Sequence, residues 1–215
     1  MDVVTLAAQK GGAGKTTIAT NLAVQAEASG RRTLLVDLDQ QGSATSWYND
    51  RPTETPRLVA VGPHEVAQAI AKAKAAGFDV VIIDTPGRDD AATSAAVRAA
   101  DFCLVPCQCS AFDLRATLPT VNTITRLERT FGLVVSQAPA PRGFGISSRA
   151  REVQAKLAVM GAVCPTVIGD RVAYKDAAAA GLAAMEFETD GKAADEIGCL
   201  WRWVEMRITK AVAPV

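Results

Sequence analysis

The sequence predicts an α/β fold, a mostly parallel twisted sheet flanked by helices on both faces. Short runs of branched aliphatics such as Val80-Val81-Ile82-Ile83 recur along the chain and are apolar on both faces, as strands covered on both sides must be. Ala-rich stretches with helical periodicity separate them. The chain has 215 residues, 49% hydrophobic and 21% charged, which supplies a sizeable core and excludes disorder. That length is about one and a half times a typical domain and fits one domain over residues 1–215.

In chain order, Val3 to Ala8 reads as a buried strand and Thr16 to Ser29 as a helix stopped by Gly30. Thr33 to Asp37 is a second strand. The region 49–63 holds Pro52, Pro56 and Pro63 and reads as an irregular surface connection. Val80 to Asp84 and Phe102 to Pro106 are further strands, Leu133 to Val135 a short one, and Pro165 to Ile168 another candidate. Helices are expected at 64–76, 90–100, 112–129, 147–160, 172–180 and 191–211. In such sheets the ligand crevice lies beyond the carboxyl ends of the strands.

Charge narrows the function. There are 23 Lys+Arg against 23 Asp+Glu, so the formal net charge is zero and nucleic acid cannot be held by bulk charge; a local patch would be needed. Aromatics at 5% argue against a base-stacking platform. The start lacks the basic-then-apolar pattern of a secretory signal, and no apolar run approaches the ~18 residues that span a membrane. Five scattered cysteines fit reduced thiols. Together these predict a soluble intracellular protein.

The first strand runs into Gln9-Lys10-Gly11-Gly12-Ala13-Gly14-Lys15-Thr16-Thr17 and then a helix. Three glycines let backbone amides cradle phosphate oxygens, and the helix N-terminus adds partial positive charge. Lys15 can reach β/γ-phosphates and the Thr16 hydroxyl can ligate Mg²⁺. Asp37 and Asp39 follow the second strand; two apart on an extended backbone, they would point to one side. A role in capping the helix that begins near Ser43 stays open for one of them, not for both. Asp84 ends a rigid aliphatic strand, as a metal-site carboxylate requires, with Thr85-Pro86-Gly87 as the next turn.

Lys10-Gly11-Gly12-Ala13-Gly14-Lys15-Thr16 resembles the deviant Walker A motif of the ParA/MinD superfamily of P-loop NTPases, with Gln9 where a standard loop begins with Gly. Asp37-Leu38-Asp39-Gln40-Gln41 resembles its switch I pattern, Gln40 replacing the usual Pro. Val80 to Gly87 resembles its Walker B strand and switch II turn. Leu104 to Asp113 resembles its Pro-x-x-Pro-Ser-x-x-Asp segment, with Cys109 at the second Pro. The run from Val167 to Tyr174, with Ala177 and Gly181, is similar to the arginine motif of small partition ATPases, so the closest branch is the small ParA, ParF-like one.

The resemblance implies an ATP hydrolase that uses ATP and Mg²⁺ and forms an ATP-bound homodimer. Lys10, Gly11, Gly12, Ala13, Gly14, Lys15, Thr16 and Thr17 would hold the nucleotide. Thr16, Asp39 and Asp84 would hold the metal shell, Asp39 would orient the attacking water, and Lys10 would reach the partner's nucleotide as an arginine finger does. It also implies sequence-independent binding of double-stranded DNA by basic residues of the C-terminal region, here Arg171, Lys175, Arg202, Arg207 and Lys210. A ParB-like or cargo adaptor protein would stimulate hydrolysis, and the protein would be cytoplasmic and associated with the nucleoid. Plasmid partition ranks first as the task; a chemoreceptor cluster or other assembly is the alternative cargo. Operator-specific repression is not expected, since only eight residues precede Gln9 and no helix-turn-helix is among them.

Two rivals belong to other classes. A MinD-like membrane regulator would use the tail helix, but Leu200, Trp203, Val204, Ile208 and Ala211 share one side, as in a helix closing a core, with Arg207 inside that stripe. Stable membrane binding is therefore not expected. An iron–sulfur ATPase would use Cys103, Cys107 and Cys109, but all three lie in or just after one strand and are expected to be buried thiols.

Overall fold

The computed structural model describes residues 1–87, 90–141 and 145–210. Among the described residues six parallel strands form one sheet: β1 Asp2–Leu6, β2 Thr33–Asp37, β3 Arg57–Ala60, β4 Val80–Asp84, β5 Phe102–Cys107 and β6 Phe131–Val135. Their spatial order is β3-β2-β4-β1-β5-β6. The helices are α1 Lys15–Ala28, α2 Ser43–Asn49, α3 Val66–Ala75, α4 Asp90–Ala99, α5 Ala111–Arg126, α6 Ser148–Leu157, α7 Val172–Ala179, α8 Ala184–Phe187 and α9 Lys192–Lys210.

Every residue of β2, β4 and β5 is buried, because helices cover both faces. Side chains alternate along each strand. Val4, Leu6, Leu35, Ile82, Phe102 and Leu104 pack against α1 and α9, while Val3, Leu34, Val36, Val81 and Ile83 pack against α3 and α4. Near β5 and β6 a third cluster joins Cys103, Val105 and Leu133 to Ile124 of α5 and Leu157 of α6. Ala19, Ala23 and Ala26 of α1 are fully buried, small enough to let that helix lie close to the sheet. Leu200, Trp203, Val204 and Ile208 of α9 are buried together, as their spacing predicts, and Trp201 joins them; Ala211 lies outside the described residues. None of the described helices is long and apolar enough to cross a membrane.

Three expectations change. The region 49–63 contains β3, a short edge strand with exposed ends whose apolar stretch, Leu58-Val59-Ala60-Val61, sits in a proline-rich segment. Pro165 to Ile168 is not a strand; it lies alongside β6 with only the isolated bridges Leu133↔Val163 and Ala138↔Gly169. Pro165 has no N–H to donate, which interrupts a ladder there. The four-residue α8 was not foreseen.

Packing around Gly132 is tight enough to test. A Cβ there would lie 2.4 Å from Trp203 Cη2 and 2.9 Å from Phe102 Cζ, two rings in an edge contact with centroids 6.0 Å apart. Gly132→Ala should cost about 1–3 kcal/mol by overpacking. Thermal denaturation should show the midpoint falling about 2–4 °C per kcal/mol; an unchanged midpoint would contradict this packing.

Candidate active site

The site is built where β1, β2, β4, β5 and β6 end. The loop from β1 to α1 turns through Gly12 (φ 75°) and Gly14 (φ 84°), left-handed conformations that favour glycine. Gly14 is the N-cap of α1 and no side chain caps it, so first-turn amides are free to meet an anion. The Thr85-Pro86-Gly87 turn lies against this loop: a Cβ on Gly87 would stand 3.1 Å from Gly11 Cα. Thr85 Oγ1 anchors the turn by donating to the Leu6 carbonyl at 2.7 Å.

Lys15 is 7% exposed and makes no hydrogen bond or ion pair with the described residues. Burial pulls its pKa below the ordinary lysine value, while Asp84 and Asp39 partly restore it. Asp84 stands in register with both Leu6 and Asp37. Its Oδ2 accepts from Thr16 Oγ1 at 2.6 Å, and its buried Oδ1 has no partner among the described residues. Burial, reinforced by neighbouring Asp37 and Asp39, pushes its pKa up to about 7 against the pull of Thr16 and Lys15. A largely buried lysine with no hydrogen bond or ion pair among the described residues, and a buried carboxylate oxygen left unpartnered by them, fit a phosphate and a divalent metal. Thr16 and Asp84 are the residues that could hold such a metal.

The two switch I carboxylates divide their roles, because the extended backbone stops at Asp37. Asp37 Oδ2 accepts from Thr45 N at 2.9 Å and Thr45 Oγ1 at 2.7 Å, capping α2, and its Oδ1 accepts from Asp39 N at 3.0 Å. The capping role left open for one carboxylate belongs to Asp37. Asp39 is half-buried and lines a cavity of about 280 Å³ with Lys15, Thr16 and the loop.

Lys10 folds back within its own chain. Its Nζ is ion-paired with Asp113 and donates to Gln108 Oε1 at 3.1 Å. Asp113 is fixed in the first turn of α5, where its N–H donates to Ser110 Oγ, and that hydroxyl donates to Asp113 Oδ2 at 2.5 Å. Gln108, Ser136 and Gln137, which follow β5 and β6, bond the loop carbonyls of Gly12 and Ala13. These three were missed in the sequence; polar residues at the very ends of two buried strands, beside the expected crevice, were the available signal.

A second cavity of about 270 Å³ continues from the first, sharing Gly14, Thr17 and Gln137. Its far wall is apolar, with Ile18, Ile168, Tyr174 and Ala178. Glu196 of α9 braces it, accepting from Arg171 Nε at 3.0 Å, Gly169 N at 3.1 Å and Tyr174 Oη at 3.1 Å. The DNA candidates are not gathered in one place. Arg171 and Lys175 line this cavity, the former committed to Glu196 and the latter, exposed, 3.2 Å from Asp170. Arg202 is exposed on α9, and Arg207 stacks 3.5 Å over the Trp203 ring. The Lys210 side chain lies outside the described residues. Cys103 and Cys107 are buried among aliphatics, and burial pushes the Cys103 thiol up to about 12, far from a ligand thiolate.

A strand-to-helix phosphate loop, a buried lysine behind it and a carboxylate closing the neighbouring strand define a P-loop nucleotide-binding protein. Residues 4–184 match the family of CobQ/CobB/MinD/ParA nucleotide binding domains. The chain is 36% identical over 144 residues to the maintenance of carboxysome distribution protein A of Gloeobacter kilaueensis, covering 66% of each chain. It is 32% identical over 198 residues to the protein of that name from Halothiobacillus neapolitanus, covering 87% of this chain and 89% of that one. Its fold is similar to the septum site-determining protein MinD of Pyrococcus horikoshii, solved with Mg-ADP, with a TM-score of 0.80 at 16% identity over 99% of each chain. The chain belongs to the CobQ/CobB/MinD/ParA nucleotide-binding family and is a ParA/MinD-type ATPase.

Asp84 gives this site a pH signature. Its pKa is raised in the folded state, so between the ordinary 3.8 and about 7 the native protein binds more protons than the unfolded chain. Nucleotide-free stability should therefore fall as pH rises through that window and level off above it. In Asp84→Asn the fall should shrink, so the variant's melting midpoint exceeds the parent's by a margin that grows up to about pH 7, while ATP hydrolysis is lost. Parallel melting curves across that range would contradict the assignment.

Proposed function

We propose that residues 1–215 form one ATPase domain that works as an ATP-driven positioning switch. The observation that carries this is the Lys15–Thr16–Asp84 arrangement, in which a largely buried lysine and the Asp84 Oδ1 left unpartnered by the described residues suit a nucleotide phosphate and Mg²⁺. The loop amides from Gly11 to Thr17 and Lys15 hold the phosphates of ATP. Thr16 and Asp84 hold Mg²⁺, which when bound neutralises charge between the phosphates. Asp39 orients the attacking water, and the second cavity receives the base and ribose.

Lys10 is the interface group. Its side chain is 41% exposed while paired with Asp113, so release from Asp113 frees a cation at the mouth of the site. Two subunits facing each other would each place Lys10 beside the other's ATP and stabilise negative charge as the phosphoryl group transfers. The ATP-bound dimer holds duplex DNA without sequence preference, and exposed Lys175 and Arg202 are the candidates least committed elsewhere. An adaptor protein stimulates hydrolysis and returns the protein from the nucleoid to the cytoplasm, with no stable membrane binding. The sequence ranked a plasmid first as cargo; the two relatives named for carboxysome distribution favour a protein assembly.

Retention of arbitrary duplex DNA tests the switch. Mg·ATP should confer retention that weakens steeply with salt, and ADP should not. Lys10→Ala should lose DNA retention and adaptor-stimulated turnover even at ATP concentrations that saturate it. Equal retention and stimulated turnover in parent and variant would rule out action of Lys10 across the interface.

A further inference from the structure

The phosphate loop is shaped from outside. Gln137 Nε2 donates to the Gly12 carbonyl at 2.7 Å and Gln108 Nε2 donates to the same oxygen at 2.9 Å, with the two amides also in contact. Ser136 Oγ donates to the Ala13 carbonyl at 2.9 Å. A trans peptide points its carbonyl and the following N–H in opposite directions. Two donors on the Gly12 oxygen therefore fix the Ala13 N–H facing away from the glutamines.

The backbone at Gln137 is adapted to this contact. Two non-glycine residues among those described have positive φ. One, Glu128 (φ 55°), follows the C-terminus of α5, where a left-handed residue is an ordinary stop. The other, Gln137 (φ 48°), follows β6 and has no helix to end. A left-handed glutamine held beside a ligand loop is strain of the kind found at functional sites.

Lys10 is one of three groups that fix which way the Gln108 amide faces, since Gly12 O and Gln137 Oε1 both accept from Nε2. An ammonium can only donate, so its bond to Oε1 commits that atom and leaves Nε2 for Gly12. We propose that Gln108 and Gln137 are positioning residues that preset the Gly12–Ala13 peptide for phosphate, and that Gln108 couples this setting to Lys10. When Lys10 leaves, Gln108 loses the only donor to its Oε1 among the contacts above, and its hold on Gly12 is left to Gln137 and relaxes. Engagement of the second subunit is thereby transmitted to the grip on the resident nucleotide. This rests on the reading that the loop binds nucleotide phosphates.

Titration of Mg·ADP and of AMP into the parent and variants tests the inference. Gln137 is exposed and Gln108 half-buried, so truncation leaves the core intact. Gln137→Ala and the isosteric Gln137→Glu should each weaken ADP roughly tenfold and lower the preference for ADP over AMP. Gln137→Gly relieves the backbone but lacks the donor, so it should weaken ADP like Gln137→Ala; parent-like affinity there would show that only the backbone matters and overturn the clamp. Lys10→Ala should weaken ADP in the parent and have no further effect in Gln108→Ala; equal effects in both backgrounds would overturn the coupling. Variants with affinities within about twofold of a parent that binds ADP would sink the inference alone, while a parent that fails to bind ADP would sink the nucleotide reading itself.

Discussion

The carboxyl end of the sheet carries charges it cannot neutralise by itself. Leu6, Asp37 and Asp84 end neighbouring strands in register, so two carboxylates stand about one strand spacing, ~4.8 Å, apart at the root of the phosphate loop. Asp37 is satisfied by three donors around α2. Among the described residues Asp84 Oδ1 is not, and Lys15 has only the nearby charges of Asp84 and Asp39 to offset its burial. Buried strands on both sides hold these groups in place, so relief has to come from what binds and not from rearrangement. The fold and the ligand are in this sense one design: a rigid parallel sheet keeps a costly arrangement that Mg·nucleotide completes.

The rest of the site regulates access to that arrangement. Asp113 is fixed by Ser110 at the start of α5, and it keeps Lys10 inside its own subunit. On the proposed reading, moving Lys10 would exchange one charge-assisted contact for another, a change small enough to be reversible and sensitive to a nucleotide phosphate in a facing subunit. Zero net charge agrees with this economy. On the proposed reading a single subunit would have little attraction for DNA, and binding that depended on pairing two subunits could be switched off by separating them.

Much of this was legible in the sequence because the central elements are locally determined. The strands at 33–37, 80–84 and 102–106 are aliphatic on both faces, and Gly12, Gly14, Lys15 and Thr16 must be the residues they are to form the loop. The α9 stripe was readable because its period matched a helix with one buried side. What was not legible depends on contacts distant in sequence. β3 is a four-residue edge strand whose short apolar stretch is set among Pro52, Pro56 and Pro63, so pairing with β2 decides it. The roles of Asp37 and Asp39 separate only once the backbone leaves the strand and Thr45 is brought beside Asp37. Gln108 and Gln137 are ordinary glutamines until β5 and β6 carry them to Gly12 across 96 and 125 residues.

The claim that the site is completed by its ligand is tested most directly by thermal denaturation with Mg·ADP, with ADP plus a chelator, and with AMP. At one hundred times the dissociation constant, Mg·ADP should add about 2.7 kcal/mol, or about 5–10 °C in a chain of this size. Chelation or AMP should recover only part of that rise, and Lys15→Ala should abolish it. A melting midpoint unmoved by Mg·ADP, or moved equally in Lys15→Ala, would contradict the account.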